Sequence, residues 1–230
     1  MSQLLPLIHG MHIGRYLAGT LLTIQLVALS CVAAAVLSLP LAMARLSANP
    51  LLRGLAFSYG AFFRGTPLLI QIFLIYYGLG QFAVIRHSVL WFFLRDAYPC
   101  ALIALALNMA AYLAEIVRGG ILAVPAGERE AAFAIGMGRS LAYRRIILPR
   151  AYRLMLPALS SEVVIQLKST ALASTITLME LTGVARRLVD VTYSTNPLLV
   201  AGAIYVVLTF LITRGFTLAE RRLNRHMRRG

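Results

Sequence analysis

Residues 17–44 read LAGTLLTIQLVALSCVAAAVLSLPLAMA, 28 positions without one charged side chain. A bilayer core about 30 Å thick is crossed by about 20 helical residues, so this run is long enough to span. A cleavable signal segment has an apolar stretch of about 7–15 residues, a basic run before it and a small-residue exit. The present run is too long and has no basic run before it, so it predicts a retained transmembrane helix. The rest of the chain agrees. Of 230 residues, 60% are hydrophobic and 13% charged, and the mean hydropathy is +0.79. Soluble domains of this size rarely combine those values.

Working outward, five apolar segments stand out, at 17–44, 56–81, 98–122, 155–180 and 197–216. Together they predict one all-α integral membrane domain over residues 1–230, with a long polar loop at 123–154. Asn196-Pro197 is a start signal for the last span, because Asn can cap and Pro is accepted at the first helical position. Gly65-Thr66-Pro67 is expected to bend the second. Tyr76, Tyr77, Trp91 and Tyr98 read as aromatics of the membrane interface.

The net charge of +14 would suggest nucleic acid in a soluble protein. Here the arginines flank apolar segments, so nucleic acid is not expected and the charges orient the chain. With the N-terminus outside, Arg45, Arg53, Arg118, Arg129, Arg139, Arg144, Arg145, Arg150, Arg153, Arg214, Arg221, Arg222, Arg225, Arg228 and Arg229 fall inside. Arg15, Arg86, Arg95, Arg186 and Arg187 fall outside. The split of 15 against 5 follows the positive-inside rule. It predicts a periplasmic N-terminus, a cytoplasmic C-terminus and a cytoplasmic 123–154 loop. Cys31 and Cys100 are far apart, and His9, His12, His87 and His226 are scattered. Neither a metal site nor a disulfide framework is expected.

The long loop contains EREAAFAIGMGRSLAYRRIILP, residues 128–149. Good helix formers run from Glu128 to Ile135, with acidic residues where the helix dipole favours them. Gly136 and Gly138 each cost a helix about 1 kcal/mol relative to Ala, so a helix, a glycine turn and a second short helix over Ser140–Leu148 are expected. Ala131, Ala132 and Ile135 offer an apolar surface suited to docking. A solvated basic loop, or an amphipathic helix on anionic lipid, has the same local pattern.

Glu130-Ala131-Ala132, three residues, Gly136, nine residues, then Ile146-x-Leu148-Pro149 resembles the EAA loop of ATP-binding-cassette importer permeases. Phe63 to Leu69 with Gln71 to Gly78, and Ala111-Tyr112-x-Ala114-Glu115-Ile116-x-Arg118-Gly119-Gly120, resemble the branch that imports polar amino acids. Ser161-Glu162-Val163-Val164, Lys168 to Ala173 and Thr175 to Glu180 look most like the M-type permeases of arginine and histidine/lysine/ornithine importers. Ala171 departs from the Ser expected there. The resemblance covers most of residues 15–225. It implies a type I importer permease fold and a multi-pass protein of the bacterial inner membrane. Residues 123–154 then hold a coupling helix seated in a cytoplasmic ATPase. That role falls on Glu130, Ala131, Ala132 and Gly136, with Ile146, Leu148 and Pro149 completing the motif.

The polar residues inside the spans carry their own argument. At about 100° per residue, Glu162, Gln166, Ser169, Thr170 and Thr177 fall on one side of the fourth span. Such a stripe avoids lipid. It lines a substrate path in which Glu162 attracts a cation, or it joins helices. Asn108, Tyr112 and Glu115 share a face of the third span. Glu115 and Arg64 are expected to pair, since isolated charges at that depth are costly. With Pro67, these residues read as structural or gating elements.

The chain lacks the Gly-x-x-x-x-Gly-Lys-Ser/Thr phosphate cradle, so ATP is expected on a separate subunit. The resemblance implies two ATPase subunits, a second homologous permease in a heterodimer and a periplasmic solute-binding protein, with surrounding lipid. The expected function is import of cationic L-amino acids such as arginine. The alternatives are a permease for glutamine or glutamate, for methionine or a metal, or a polytopic membrane enzyme. The last would need a nucleophile with its base, or a metal cluster, and the sequence presents neither. No cofactor is expected.

Overall fold

The structure, a computed structural model, describes residues 10–223; His9, His226, Arg225, Arg228 and Arg229 lie outside them. Among the described residues there is no strand. The long helices are α1 (Gly10–Leu46), α2 (Pro50–Gly65), α6 (Ala97–Leu122), α9 (Leu148–Ser169) and α11 (Asn196–Leu223). The short helix α3 (Leu68–Phe73) follows α2 and runs through a π turn to Gln81. Then come α4 (Ala83–Arg86) and α5 (Trp91–Leu94). Between α6 and α9 lie α7 (Ala126–Ala134) and α8 (Arg139–Ala142), and α10 (Leu181–Thr192) precedes α11.

The helices α1 and α6 form the spine. On α1, Thr23, Ser30, Ala34, Ser38 and Ala42 are buried at seven- and four-residue spacings, a stripe of small side chains that lets backbones approach closely. Its other faces leave Leu17, Leu21, Val32 and Val36 exposed, as lipid-facing positions require. Leu26 packs beside Cys100 and Ala104, Ala34 beside Met109 and Leu113, and Ala42 beside Val117 and Ile121. The two helices therefore run parallel. The helix α9 runs antiparallel to them, with Ala151 against Ile121 and Gln166 reaching the Leu105 carbonyl at 3.2 Å. The Tyr16 hydroxyl donates to the Pro197 carbonyl at 2.9 Å, which places the start of α11 beside the start of α1. The segment α7–α8 thus lies at the opposite end of the molecule from the starts of α1, α6 and α11.

Among the described residues, three helices are long and apolar enough to cross a membrane: His12–Leu46, Ala97–Leu122 and Asn196–Leu223. The expected span 56–81 is instead two helices, Pro50–Gly65 and Leu68–Gln81, bent by 102°. Thr66 and Pro67 are both extended: proline disfavours the α region at the residue before it and has no N–H to continue the ladder. The expected span 155–180 also differs. Here α9 starts at Leu148, ends at Ser169 and passes through a 3₁₀ segment, Thr170–Ile176. Thr177 is left-handed with φ 72°, so the regular helix assumed for the polar stripe stops before it.

The 181–195 stretch, read as loop, contains α10. Its Leu181, Val184, Ala185 and Leu188 follow helical spacing and are buried against Tyr16 and Ala201. Glu180 caps it from a fully buried position. Its carboxylate accepts from Thr182 N at 2.9 Å and Gly183 N at 2.8 Å, and from the Tyr205 hydroxyl at 2.9 Å. The Thr23 hydroxyl accepts from Leu181 N at 3.1 Å. One buried carboxylate and its neighbours thereby join α1, α10 and α11. The contact has no slack: a Cβ on Gly183 would overlap the Leu178 carbonyl oxygen. The substitution Gly183→Ala is expected to destabilise the protein by about 1–3 kcal/mol, the usual range for overpacking, read as a lowered unfolding temperature in detergent.

Candidate functional site

Two places carry chemistry, a cleft along the helices and the α7–α8 segment at one end. The cleft opens where α2 stops and has a volume of about 460 Å³. Arg64, Pro67, Asn108, Tyr112, Glu162, Gln166 and Ser169 all line it. Three of the expected pathway residues, Glu162, Gln166 and Ser169, and four of the expected gating residues, Arg64, Pro67, Asn108 and Tyr112, therefore meet in one place, whereas Glu115 does not line it. Thr170 is not among its lining residues; it is buried and its hydroxyl donates to the Leu167 carbonyl at 2.7 Å. Thr177 does not line the cleft either, because the helix that would have carried it there has ended.

A break in a helix at membrane depth frees backbone carbonyls, and these need internal partners. Two amides supply them. Asn108 Nδ2 donates to the Phe63 carbonyl at 2.9 Å and to Gln71 Oε1 at 3.0 Å. Gln71 Nε2 reaches the Phe63 carbonyl at 2.9 Å, the Thr66 carbonyl at 3.1 Å and Thr66 Oγ1 at 2.7 Å. Gln71 had no role in the sequence reading; its signal is a lone amide in an apolar run, four residues beyond Pro67.

The two carboxylates are treated in opposite ways. Glu115 is held by Arg118 Nε at 2.8 Å and Arg45 Nε at 3.0 Å. The expected partner Arg64 is present only as a third, longer contact of 3.9 Å, because its Nε turns back to the Gly60 carbonyl at 3.3 Å. Arg45 was counted as a flanking charge, yet parallel packing of α1 on α6 brings it level with Glu115. Glu162 is 8% exposed, and among the described residues no side chain or backbone group bonds or pairs with it. Lys168 on the same helix is exposed. The cleft wall thus contains a nearly buried, unpaired carboxylate.

At the other place, α7 ends in a complete glycine cap. Gly136 has φ 80°, its N–H donates to the Phe133 carbonyl at 3.0 Å, and Met137 N donates to the Ala132 carbonyl at 3.1 Å. This is the Schellman arrangement, which uses a glycine at its left-handed position. The expected second helix exists, but it does not stop at Leu148. The helix α8 passes through a π turn, Tyr143–Ile147, directly into α9, with Pro149 tolerated at its start. Glu128 ties the segment to α9 through Arg150 at 3.2 Å.

Within this segment Glu130 and Ala131 are exposed, Ile146 is half-buried, and Leu148 and Pro149 are exposed. Ala132 is 1% exposed, so it packs inward and offers no docking surface. The outward apolar groups are Phe133, Ile135 and Leu141. Phe133 and Glu130 line an open cavity of about 370 Å³ with Arg129, Arg139 and Tyr143. Among the described residues no His/Cys/Asp/Glu group could hold a metal ion.

The family model described as binding-protein-dependent transport system inner membrane component matches residues 15–225. The chain is 54% identical over 205 residues to the octopine transport system permease protein of Rhizobium radiobacter, covering 89% of this chain and 84% of that one. It is 48% identical over 216 residues to the nopaline transport system permease protein of Agrobacterium fabrum, covering 93% and 90%. With the arginine ABC transporter permease protein of Escherichia coli the identity is 44% over 175 residues, covering 76% and 78%. A solved amino acid ABC transporter with histidines superposes with a TM-score of 0.82 at 35% identity, over 92% of this chain and 95% of that one. A methionine ABC transporter in inward-facing conformations shares the fold, with a TM-score of 0.77 at 16% identity over 94% and 99%.

The amide pair at the helix break acts as a unit. In a double-mutant cycle, Gln71→Leu and Asn108→Ala are expected to be non-additive by about 0.5–2 kcal/mol, measured by thermal unfolding of the purified protein. Gly136→Ala places a side chain where φ is positive, at a cost of about 1–2 kcal/mol. The expected outcome is a lowered unfolding temperature of the purified protein.

Proposed function

The chain belongs to the family of binding-protein-dependent transport system inner membrane components, and from that premise we propose that it forms the path for a cationic L-amino acid. It is a membrane permease subunit of an ABC amino acid importer and not an enzyme; ATP is hydrolysed by a separate subunit. Its partners are that ATPase and a solute-binding protein.

The observation that supports a cationic substrate is Glu162. A carboxylate with reduced access to water and no partner is costly, and a guanidinium or ammonium group entering the cleft would offset that cost through a charge-assisted hydrogen bond. Gln166, Ser169, Tyr112 and Asn108 line the same cleft and would orient the solute. Of the permeases named above, the one for arginine points to the same class. Thr170 and Thr177 are assigned to helix termination, and Arg64, Pro67 and Glu115 to holding the bend.

The second part of the proposal concerns coupling. The segment 123–154, with Glu130, Ala131 and Gly136, seats in the ATPase, and the continuous α8–α9 connection carries its movement to Glu162 on the same rod. Ala132 supports this surface from within; Ile146, Leu148 and Pro149 form the junction. Two ATPases and a second homologous permease, which closes the open side of the cleft, complete the assembly. The N-terminus is periplasmic and the C-terminus cytoplasmic.

The test is ATPase activity of the reconstituted complex with its binding protein, across Arg, Lys, ornithine, His, Gln and Glu. Stimulation by the cationic members is expected. Glu162→Gln should reduce it by about 10²-fold or more, the scale of a lost charge-assisted contact of about 3 kcal/mol, while Glu162→Asp retains part of it. Stimulation by Gln or Glu that survives Glu162→Gln would overturn the cationic reading.

A further inference from the structure

Where α10 packs against the start of α1, two arginines far apart in sequence come together. Arg15 and Arg187 line one open cleft of about 350 Å³, and its other walls are Ala18, Met179, Val184 and Leu188. Both guanidinium groups are exposed, and among the described residues neither forms an ion pair. No acidic residue is among those that line the cleft, and the exposed Asp190, one turn beyond Arg187, lies outside it. Arg186 also lies outside it and reaches Ser174 Oγ at 3.4 Å. The cleft is thus a pair of free cations over an apolar floor.

The helix α1 sets the depth of this cleft. Arg15 is the last charge before the uncharged 17–44 run, so it stands at the headgroup level of the bilayer whichever way the chain is threaded. Ala18 is exposed, Leu21 one turn further is 67% exposed, and Val32 and Val36 continue the lipid-facing side of the helix. A guanidinium fork matches a phosphate with two parallel hydrogen bonds, and basic pockets between membrane helices bind anionic headgroups. The apolar floor suits the glycerol and first methylenes below such a phosphate. The two arginines are also held at a fixed separation: a Cβ on Gly19 would lie 2.9 Å from Val184 Cγ2, so α1 and α10 are in close contact beside the cleft.

We propose that the Arg15–Arg187 cleft is a headgroup site for an anionic phospholipid, whose phosphate bridges α1 and α10 and whose acyl chains lie along Leu21, Val32 and Val36. The occupant is supplied by the bilayer itself, since the cleft sits at the end of a membrane-crossing helix. The lipid ties α10 to α1 from the outside. Glu180 does so from the inside, where its carboxylate accepts from Gly183 N at 2.8 Å and from the Thr23 hydroxyl at 3.4 Å. The proposal rests on the membrane class of the chain and is independent of which solute it carries.

The experiment titrates the lipid-depleted complete complex in detergent with phosphatidylglycerol or phosphatidylcholine, reading bound lipid by native mass spectrometry and the unfolding temperature. Wild type is expected to bind phosphatidylglycerol about tenfold or more tightly than phosphatidylcholine, the scale of two arginines at an anionic lipid surface. Its unfolding temperature should rise with the bound anionic lipid, as for any ligand of the folded state. Arg15→Gln/Arg187→Gln should lose both the preference and the rise. Arg15→Lys/Arg187→Lys keeps the charge without the fork and should retain part of each. Arg186→Gln should stay within about twofold of wild type. Equal binding of the two lipids by wild type would overturn the proposal, and so would a loss in Arg186→Gln as large as in the double variant, which would mean diffuse surface charge. Displacement of the lipid by millimolar inorganic phosphate would overturn it in favour of a free anion. A double variant that binds lipid normally but no longer captures the solute-binding protein would overturn it in favour of a protein partner.

Discussion

At membrane depth a polar group that loses its helical partner has no water to turn to, and the points where this chain stops being helical are built around that constraint. At Thr66-Pro67 the partners are the amides of Gln71 and Asn108. At Glu180 they are a carboxylate, the Thr23 hydroxyl and the Tyr205 hydroxyl. Each break therefore requires residues from two or three helices at once. Elsewhere the Ser38 hydroxyl satisfies itself on the carbonyl three residues back, whereas the Ser30 hydroxyl does so and also accepts from Gln166 Nε2 on α9 at 2.8 Å.

The same economy separates the two carboxylates. Glu115 joins α1, α2 and α6 through three guanidinium groups; it is spent on structure, and a solute would have to displace an arginine to reach it. Glu162, one helix away, is left without a partner. A fold that satisfies Glu180 with two amides and a hydroxyl, and Glu115 with three cations, but leaves Glu162 bare, has concentrated its unmet electrostatic demand at one point of the cleft. That contrast says more about a solute site than the polarity of the stripe alone.

The two ends of the molecule are built differently for the same reason. The segment α7–α8 leaves Phe133, Ile135 and Leu141 outward among exposed Glu130 and Arg139 and is fastened to α9 by Glu128–Arg150. The opposite end turns the apolar residues of α10 inward.

The amino-acid sequence by itself determined what local chemistry decides. The membrane class follows from the uncharged 17–44 run, the start of α11 from Asn196-Pro197, the glycine cap from Gly136, and the bend from Thr66-Pro67. Those features depend on neighbours within a few residues. Tertiary structure decided which charged groups meet. Glu115 was matched to Arg64 on depth alone, but parallel packing of α1 on α6 sets Arg45 beside it. The stripe from Glu162 to Thr177 assumed a regular helix, but α9 ends at Ser169, continues as a 3₁₀ segment to Ile176 and turns at left-handed Thr177. Ala132 was read as a docking surface, yet it lies on the inward face of α7. Sequence periodicity sets which side chains share a face, and only packing sets what that face meets.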